Sequence, residues 1–560
     1  MSSEANWEKI AAGKRAALAE SIPTEYRIPQ DKIPPESQLD VTTWPQESGW
    51  FTPKELEITG STASEILRKI ASKAWSAEQV TSAFCKRAAA AQQLTNCLSD
   101  AFFDEAIRQA KSLDEHLQRT GKTVGPLHGL PISLKDNFNV KGRDSTVGFT
   151  SWVNDPAPYN ATLVDLLEKL GAVRYCKTNV PTAMMIAESV NNTFGRTVNP
   201  LNRKVTSGGS SGGESALIAF GGSPLGVGTD IGGSLRIPAA CTGIFTLRPS
   251  FGRFTTQRCR SGLAGQEAVQ SVNGPMGKTL EDITMYSKVI VDAQPWKVDP
   301  KMLPIPWRPA ELPAKLRIAV LWNDGICLPT PPVTRALKET VEKLNKAGHD
   351  VVEWDPKLHA TALQLLARMF VADGGKSIEA LLSVTGEPYR PEMQQYKDAK
   401  ELGVYDMWKL HTERSELQRQ YLEQCMSMNI DAILAPTTPY SSVAHGDFKY
   451  VGYTGVYNVV DYSAVSFPCK VTVDKAIDKR VDDHKPLSAF CQDAHDSYDP
   501  ELLHGLPVSL QLIAQRLEEE KFPQPPSIPP TCLRLTASSR ISSFFHTTGR
   551  LIPYSPTEST

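Results

Sequence analysis

The chain has 560 residues, and its 60 Lys and Arg against 62 Asp and Glu leave a formal net charge of −2. Such a balance argues against a nucleic-acid partner, because binding to phosphates needs clustered excess positive charge. The composition, with 41% hydrophobic and 22% charged residues, is that of a globular protein long enough to bury a large core. The longest uncharged apolar candidate, residues 215–229, is short and rich in glycine, so we expect no membrane span.

Residues 1–55 are predicted to form an extension that wraps over the rest of the chain. Trp7, Ile10 and Ala11 are spaced to share one face of a short helix. Several prolines follow, and proline fixes φ and lacks an N–H donor. We therefore expect this stretch to run along another surface rather than to form regular elements.

Two helices are predicted to follow the extension. Thr62-x-x-Glu65 and Ser76-x-x-Gln79 both have the spacing of a capping box, in which the side chain of each end residue bonds to the backbone N–H of the other. We expect one helix to begin directly after Thr62 and another directly after Ser76.

Short apolar runs then alternate with helical periodicity. The predicted strands are residues 130–134, 172–176, 318–322, 351–354 and 431–435. The predicted helices contain Leu163, Leu166, Leu167 and Leu170, ended by Gly171, and Leu337, Val341 and Leu344, ended by Gly348. This alternation predicts an α/β fold in which residues 56–521 form a single large domain, with a mixed β-sheet core flanked by helices.

The last segment, residues 522–560, differs in composition from the rest. It is rich in Pro, Ser and Thr, and Glu558 is its only acidic residue. Such a composition cannot supply a packed apolar face, so we expect this tail to be disordered.

The ten cysteines are scattered and form no C-x-x-C pair, so we expect free thiols in a reducing cytoplasm. Residues 1–14 are too polar for a signal peptide, which agrees with a cytoplasmic location. Asp482, Asp483 and His484 are adjacent, but they lie in a highly charged stretch that favours a solvated loop. We therefore predict no metal site.

The densest local signal is the Gly- and Ser-rich segment 206–238, and several interpretations compete for it. A phosphate loop is excluded, because the two Gly-Lys-Thr triplets lack the glycine five residues earlier. Gly208-Gly-Ser210-Ser-Gly212 matches the nucleophile elbow of α/β-hydrolases, but the residues before it are polar rather than a buried strand. The residues alone leave a functional site and a flexible linker as alternatives.

Two segments together decide between these alternatives by resemblance. Thr206–Pro238 resembles the signature of the amidase signature family, and Leu127–Phe138 resembles that family's lysine segment. The similarity extends over roughly residues 56–520 and is greatest to fungal acetamidases and general amidases. The resemblance implies a single α/β amidase domain without cofactor or metal.

Each of the three residues of the family's catalytic triad has a counterpart in this chain. Ser234 matches the nucleophile, Ser210 matches the bridging serine that follows a cis peptide after Gly209, and Lys135 matches the base. Serine needs a base to act as a nucleophile, and burial can lower the pKa of a lysine enough for that role. The resemblance therefore implies a Ser-Ser-Lys triad and an acyl-enzyme on Ser234.

Further site residues follow from the same resemblance. The expected oxyanion hole consists of the backbone N–H groups of four residues in a row: Ile231, Gly232, Gly233 and Ser234. Three residues match supporting positions: Ser211, Asp230 and Arg236. Met184 matches a position that lines the substrate pocket in a lipid-amide-hydrolysing relative, although plain core packing is an equal alternative.

The resemblance implies hydrolysis of a small-molecule carboxylic acid amide to an acid and ammonia or an amine. The motifs do not define the acyl group. Two alternatives stay open: a glutamine amidotransferase-type subunit, and a remnant impaired by the unusual segment 522–560. A homodimer is compatible with the resemblance.

Overall fold

The computed structural model describes residues 6–481 and 484–522, and an eleven-stranded sheet runs through it. The strands, including those of two small hairpins, are β1 (Leu98–Ala101), β2 (Pro131–Lys135), β3 (Val173–Thr178), β4 (Val190–Asn191), β5 (Gly195–Arg196), β6 (Val198–Asn199), β7 (Asn202–Thr206), β8 (Leu225–Asp230), β9 (Phe245–Arg248), β10 (Val272–Gly277), β11 (Arg317–Val320), β12 (Asp350–Glu353), β13 (Ala432–Pro436), β14 (Ser463–Thr472) and β15 (Pro507–Ala514). The order in the large sheet is β1-β3-β2-β8-β10-β9-β14-β15-β13-β11-β12.

Helices cover both faces of this sheet. They are α1 (Asn6–Glu20), α2 (Trp44–Glu47), α3 (Pro53–Gly60), α4 (Ala63–Ala71), α5 (Ala77–Thr95), α6 (Phe103–Thr120), α7 (Thr162–Lys169), α8 (Gly212–Phe220), α9 (Arg236–Thr242), α10 (Leu280–Asp292), α11 (Pro331–Lys346), α12 (His359–Phe370), α13 (Lys376–Ser383), α14 (Gln394–Lys397), α15 (Val404–Met428), α16 (Gly452–Val459), α17 (Ala489–Asp496) and α18 (Pro500–Leu503). Single 3-10 turns lie at Thr24–Tyr26, Gln30–Lys32, Thr150–Trp152, Thr182–Met184, Pro295–Lys297, Pro391–Met393 and Glu519–Lys521. Across residues 6–481 and 484–522, none of these helices has both the length and the apolar composition needed to cross a membrane.

The predicted α/β class with a mixed sheet is confirmed. Parallel pairs join β2 to β3 and β8, and β11 to β12 and β13, whereas the remaining neighbours in the large sheet are antiparallel. Each predicted strand is present with its ends shifted by a few residues, as short apolar runs leave strand ends poorly defined.

The predicted helix starts are also present. The side chains of Thr62 and Ser76 accept hydrogen bonds from the backbone N–H of Glu65 and Gln79, which begins α4 and α5. The reciprocal half of a capping box is formed instead at α3, between Thr52 and Glu55. The sequence spacing therefore located the helix starts, although the full two-way motif occurs one helix earlier.

The centre of the sheet brings two strand ends together. β2 and β8 are parallel neighbours, with Ser133 paired to Gly226 and Leu134 to Val227. Because parallel strands share a direction, their carboxyl ends lie at the same edge of the sheet, where ligand sites of α/β proteins commonly form. Lys135 ends β2 and Asp230 ends β8 at this edge.

The N-terminal residues contribute directly to the main apolar core. The helix predicted near Trp7 is longer than expected, since α1 spans Asn6–Glu20 and buries Ala11 and Leu18. Val41 and Trp44 belong to the same buried cluster as the strands of the sheet. The boundary predicted at residue 55 falls inside α3.

The described chain ends with a packed segment. Its last regular element is a single 3-10 turn, Glu519–Lys521. Phe522 is buried in the main core. The tail predicted to be disordered lies, from residue 523 onward, outside the described residues, as do Asp482 and Asp483.

Candidate active site

Lys135 is a fully buried lysine at the carboxyl end of β2. Its Nζ lies 2.7 Å from Ser210 Oγ, 2.7 Å from Thr229 Oγ1 and 3.3 Å from the Thr229 carbonyl oxygen. Burial lowers the pKa of Lys135 to about 7, against the opposing effect of the carboxylates of Asp230 and Glu214. A substantial fraction of this lysine is therefore neutral near neutral pH.

Ser210 is buried just before α8, and its hydroxyl faces Lys135. The peptide bond between Gly209 and Ser210 is cis, as the resemblance implies. The elbow alternative required a histidine partner for this serine, whereas the structure pairs it with a lysine. The alternative of a flexible linker does not apply, because the surrounding glycine-rich backbone is buried.

Ser234 lies in the loop between β8 and α9 and is partly exposed, unlike Ser210. Its carbonyl oxygen accepts a hydrogen bond of 3.2 Å from the N–H of Ser211, which ties the two serine-bearing loops together. Within the described residues, the Ser234 hydroxyl has no hydrogen-bond partner. Hydrogen bonds between catalytic groups are often long or poorly aligned before substrate binds, and they shorten in the complex.

The backbone N–H groups of this loop have different partners. The N–H of Gly233 donates to Asp230 Oδ1 at 2.8 Å, so this predicted oxyanion donor already has an acceptor within the protein. Those of Ile231, Gly232 and Ser234 have no acceptor in the part of the chain that the structure describes. Three of the four expected donors are therefore available to a ligand.

Asp230 and Arg236 form a buried ion pair that holds this loop. Arg236 Nε lies 3.1 Å from Asp230 Oδ2, and Asn458 Nδ2 donates to Asp230 Oδ1 at 2.8 Å. Burial alone would raise the pKa of Asp230, but Arg236 outweighs it and the result is a pKa of about 2. Asp230 and Arg236, two of the three predicted supporting residues, therefore hold the loop in its conformation.

The structure adds residues that the sequence did not single out. Thr229 supplies two oxygen atoms to the Lys135 ammonium, and Ser211 Oγ lies 3.3 Å from the Thr229 carbonyl oxygen. Glu214 accepts hydrogen bonds from Ser133 and Thr178, and burial raises its pKa to about 8. Thr229 lies within the signature segment, but its side-chain direction depends on the pairing of β8.

Met184 ends the 3-10 turn Thr182–Met184. It is partly buried against an apolar cluster that includes Val147 and Phe149. Phe370 packs against the same cluster and also approaches Gly232, where an added Cβ would lie 3.4 Å from its ring. Met184 and Phe370 therefore pack against one apolar cluster, and Phe370 approaches the loop that carries Ser234.

These groups together suit acyl transfer. A hydroxyl next to a buried, readily deprotonated lysine can be activated as a nucleophile or a proton carrier. Converging N–H groups without acceptors can stabilise the negative oxygen that develops when a carbonyl carbon is attacked. The site thus has the components of a hydrolase that acts on a carbonyl compound.

Comparison with known proteins agrees with this chemistry. The model of the Amidase family matches residues 79–522. An acetamidase of Emericella nidulans is 41% identical over 532 residues, covering 92% of this chain and 96% of the relative. An acetamidase of Aspergillus oryzae is 39% identical over 533 residues, with 92% and 97% covered.

A solved structure of a fatty acid amide hydrolase is similar at a TM-score of 0.88 and 35% identity, covering 92% of this chain and 93% of that one. The fold and these relatives define a hydrolase of carbon–nitrogen amide bonds. The chain belongs to the amidase family.

Proposed function

We propose that this enzyme hydrolyses small carboxylic acid amides, with Ser234 as nucleophile, Ser210 as proton carrier and Lys135 as base. The observation that carries the assignment is the 2.7 Å contact between Lys135 Nζ and Ser210 Oγ, made by a buried lysine whose pKa is about 7. A solvated lysine, with a pKa of about 10.4, would be protonated and unable to accept this proton.

In the proposed first step, neutral Lys135 accepts the proton of Ser210 while Ser210 accepts that of Ser234. The Ser234 oxygen bonds to the carbonyl carbon, and the resulting oxyanion is stabilised by the N–H groups of Ile231, Gly232 and Ser234. The carbon–nitrogen bond then breaks while Ser210 donates its proton to the leaving nitrogen and regains one from Lys135. Water adds to the ester carbon on Ser234 and passes a proton through Ser210 to Lys135. When the ester bond breaks, that proton returns through Ser210 to the Ser234 oxygen, and the acid is released.

Two observations support a small acyl group. The two curated relatives described above are named acetamidases. The ring of Phe370 lies close to Gly232 in the loop that would bind the oxyanion, so bulk next to the carbonyl is restricted from that side. We therefore propose acetamide and similar short amides as substrates.

Labelling with a serine-reactive fluorophosphonate tests the nucleophile. The Ser234 oxygen is expected to displace fluoride and give one adduct per chain by intact mass. Ser234→Ala should abolish the adduct, and Lys135→Ala should slow its formation by at least a hundredfold. Ser72→Ala, at an exposed helix end, is the matched control and should label like the wild type.

Circular dichroism separates failure of the site from failure of the fold. A wild-type protein that is folded but unlabelled would overturn the proposed triad and favour the remnant alternative. An adduct that persists in Ser234→Ala would place the nucleophile elsewhere.

Ammonia release from acetamide, benzamide and glutamine tests the substrate class. We expect kcat/KM for acetamide to exceed that for glutamine by at least a hundredfold. Activity restricted to glutamine would instead support the amidotransferase-type alternative.

We further propose a cytoplasmic homodimer. None of the nine described cysteines is in a disulfide, which suits a reducing compartment. The dimer rests on the family resemblance alone. Light scattering during gel filtration tests it, since a dimer has twice the chain mass of 61.4 kDa.

A further inference from the structure

A cluster of soft and borderline metal ligands lies on elements that the amidase site does not use. The side chains of His484, Cys491 and His495 each offer one ligand atom, and these atoms all lie within 4.8 Å of one another. Cys491 and His495 are four residues apart on α17 and therefore share a face of the helix. His484 approaches them from the loop before that helix.

The backbone of Leu328 orients two of these side chains. Its N–H donates to Cys491 Sγ at 3.4 Å, and its carbonyl oxygen lies 3.1 Å from His495 Nε2. When Nε2 carries the proton for this bond, Nδ1 of His495 keeps its lone pair. Metal-binding histidines commonly donate their other ring N–H to a carbonyl in this way, which fixes the tautomer.

His484 completes the set. Its ring stacks on that of His495, with centroids 4.2 Å apart and planes inclined by 21°. Its Nε2 is buried and has no hydrogen-bond partner in residues 6–481 and 484–522. A buried nitrogen without a partner is costly, and a bound cation would satisfy it.

We propose that His484, Cys491 and His495 bind one Zn²⁺ ion, with a fourth position left for water or another small ligand. One thiolate and two imidazoles are the ligand types that zinc prefers, and three protein ligands with an open position are a known zinc arrangement. Zinc–ligand bonds of about 2.0–2.3 Å imply ligand atoms about 3.3–3.7 Å apart. The ligand atoms lie within 4.8 Å of one another, so binding needs them to approach by up to about 1–1.5 Å. The two stacked rings must also turn so that both lone pairs point at one ion, and His484, on its loop, is the ring free to turn.

The position of the site indicates a bracing role. Leu328 follows Cys327, whose carbonyl oxygen accepts a 2.6 Å hydrogen bond from Tyr453 on α16. Thr454, which follows Tyr453 on α16, donates its hydroxyl hydrogen to the carbonyl oxygen of Gly232 at 2.8 Å. Zinc would fix α17 to the segment that supports α16, and so stabilise the fold near the amidase loop without entering its chemistry.

Metal titration of the full-length, chelator-treated protein tests the proposal. Calorimetry with Zn²⁺ is expected to show one tight site per chain, weakened at least a hundredfold in Cys491→Ser and in His495→Gln. Co²⁺ should give a thiolate-to-cobalt charge-transfer band that is absent from Cys491→Ser. His484→Gln, on a partly exposed loop, should weaken binding without threatening the fold.

Cys259→Ser and the exposed His504→Gln are matched controls, and both should bind like the wild type. Zn²⁺ should raise the Tm of the wild type and the controls but not that of the ligand variants. The proposal is overturned if the wild type binds no Zn²⁺, or if binding and the cobalt band survive in Cys491→Ser. Amidase activity is not a readout here, so the outcome is independent of the proposed triad.

Discussion

Lys135 illustrates how one residue is tuned by opposing effects. Desolvation lowers its pKa, whereas Asp230 and Glu214 raise it. Asp230 is itself paired with Arg236, and burial raises the pKa of Glu214 to about 8, which limits the negative charge near the lysine. Desolvation therefore prevails, and the lysine titrates near neutrality.

The pH dependence of catalysis follows from this value. A base must be neutral to accept a proton, and a pKa lowered to about 7 makes the neutral lysine dominant above pH 7. We expect kcat/KM for acetamide to fall about tenfold per pH unit below pH 7 and to level off above about pH 8. A rate profile between pH 5 and 9 measures this, and a midpoint near 10 would contradict the assignment of Lys135 as base.

Thr229 offers a second test at the same scale. Thr229→Val removes the Oγ1 acceptor 2.7 Å from Lys135 Nζ while preserving shape. We expect kcat to fall roughly tenfold, equivalent to about 1.4 kcal/mol, with little change in KM. The midpoint of the pH profile should also move down, because this oxygen stabilises the ammonium form.

Thr229→Ser keeps the hydroxyl and is the matched control. Its kcat and pH midpoint should remain close to those of the wild type. Equal loss in both variants would show that any change at this position lowers activity, and that the hydrogen bond has no separate role.

At the scale of elements, the loop between β8 and α9 depends on one glycine. Gly233 has φ +132°, and an added Cβ would lie 2.2 Å from Thr454 Oγ1. The loop therefore adopts a conformation that a residue with a side chain resists, and α16 leaves no space for one.

Gly233→Ala is expected to displace the loop and lower kcat/KM by at least a hundredfold, because three N–H groups move with it. Gly60→Ala, at the end of α3 with open space around the new Cβ, is the matched control. That variant should keep full activity and a Tm equal to or above that of the wild type. Normal kinetics in Gly233→Ala would refute the role given to this loop.

For the whole molecule, the last described residues close the core. Glu519 accepts a 2.7 Å hydrogen bond from the N–H of Ser250, and Glu520 pairs with Arg253. Phe522 is buried in the main apolar cluster. These contacts join the last described residues to the loop that follows β9.

Two truncations separate these contacts from the unusual tail. A chain ending at residue 522 keeps every contact described for this end, so its Tm and kcat/KM should match those of the full chain. A chain ending at residue 516 leaves Arg253 buried without its carboxylates, which typically costs about 3–5 kcal/mol, and should melt at least several degrees lower. Equal melting of the two truncated chains would show that residues 517–522 contribute nothing.

Local pattern correctly predicted the strands and helices that it singled out, but these are a minority of the elements, and β8 and β10 were not among them. Apolar runs and leucine spacing identified β2, β3 and α7, since burial on a sheet or helix face imposes a period on the sequence. Strand order was beyond this reasoning, because the pairing of β8 with β2 and β10 depends on contacts distant in sequence. The length of α1 was missed for a related reason, since tertiary packing sets where weak helices end.

The sequence by itself determined the family and the residue types of the site, because the motifs around Lys135, Ser210 and Ser234 are contiguous and occur in a fixed order. Tertiary structure alone decided how those residues meet. It buried Lys135 and lowered its pKa, aimed Thr229 at it, and committed the N–H of Gly233 to Asp230. It also brought His484 to Cys491 and His495. Hydrogen bonding and desolvation depend on distances in space, and these distances are not encoded in the spacing along the chain.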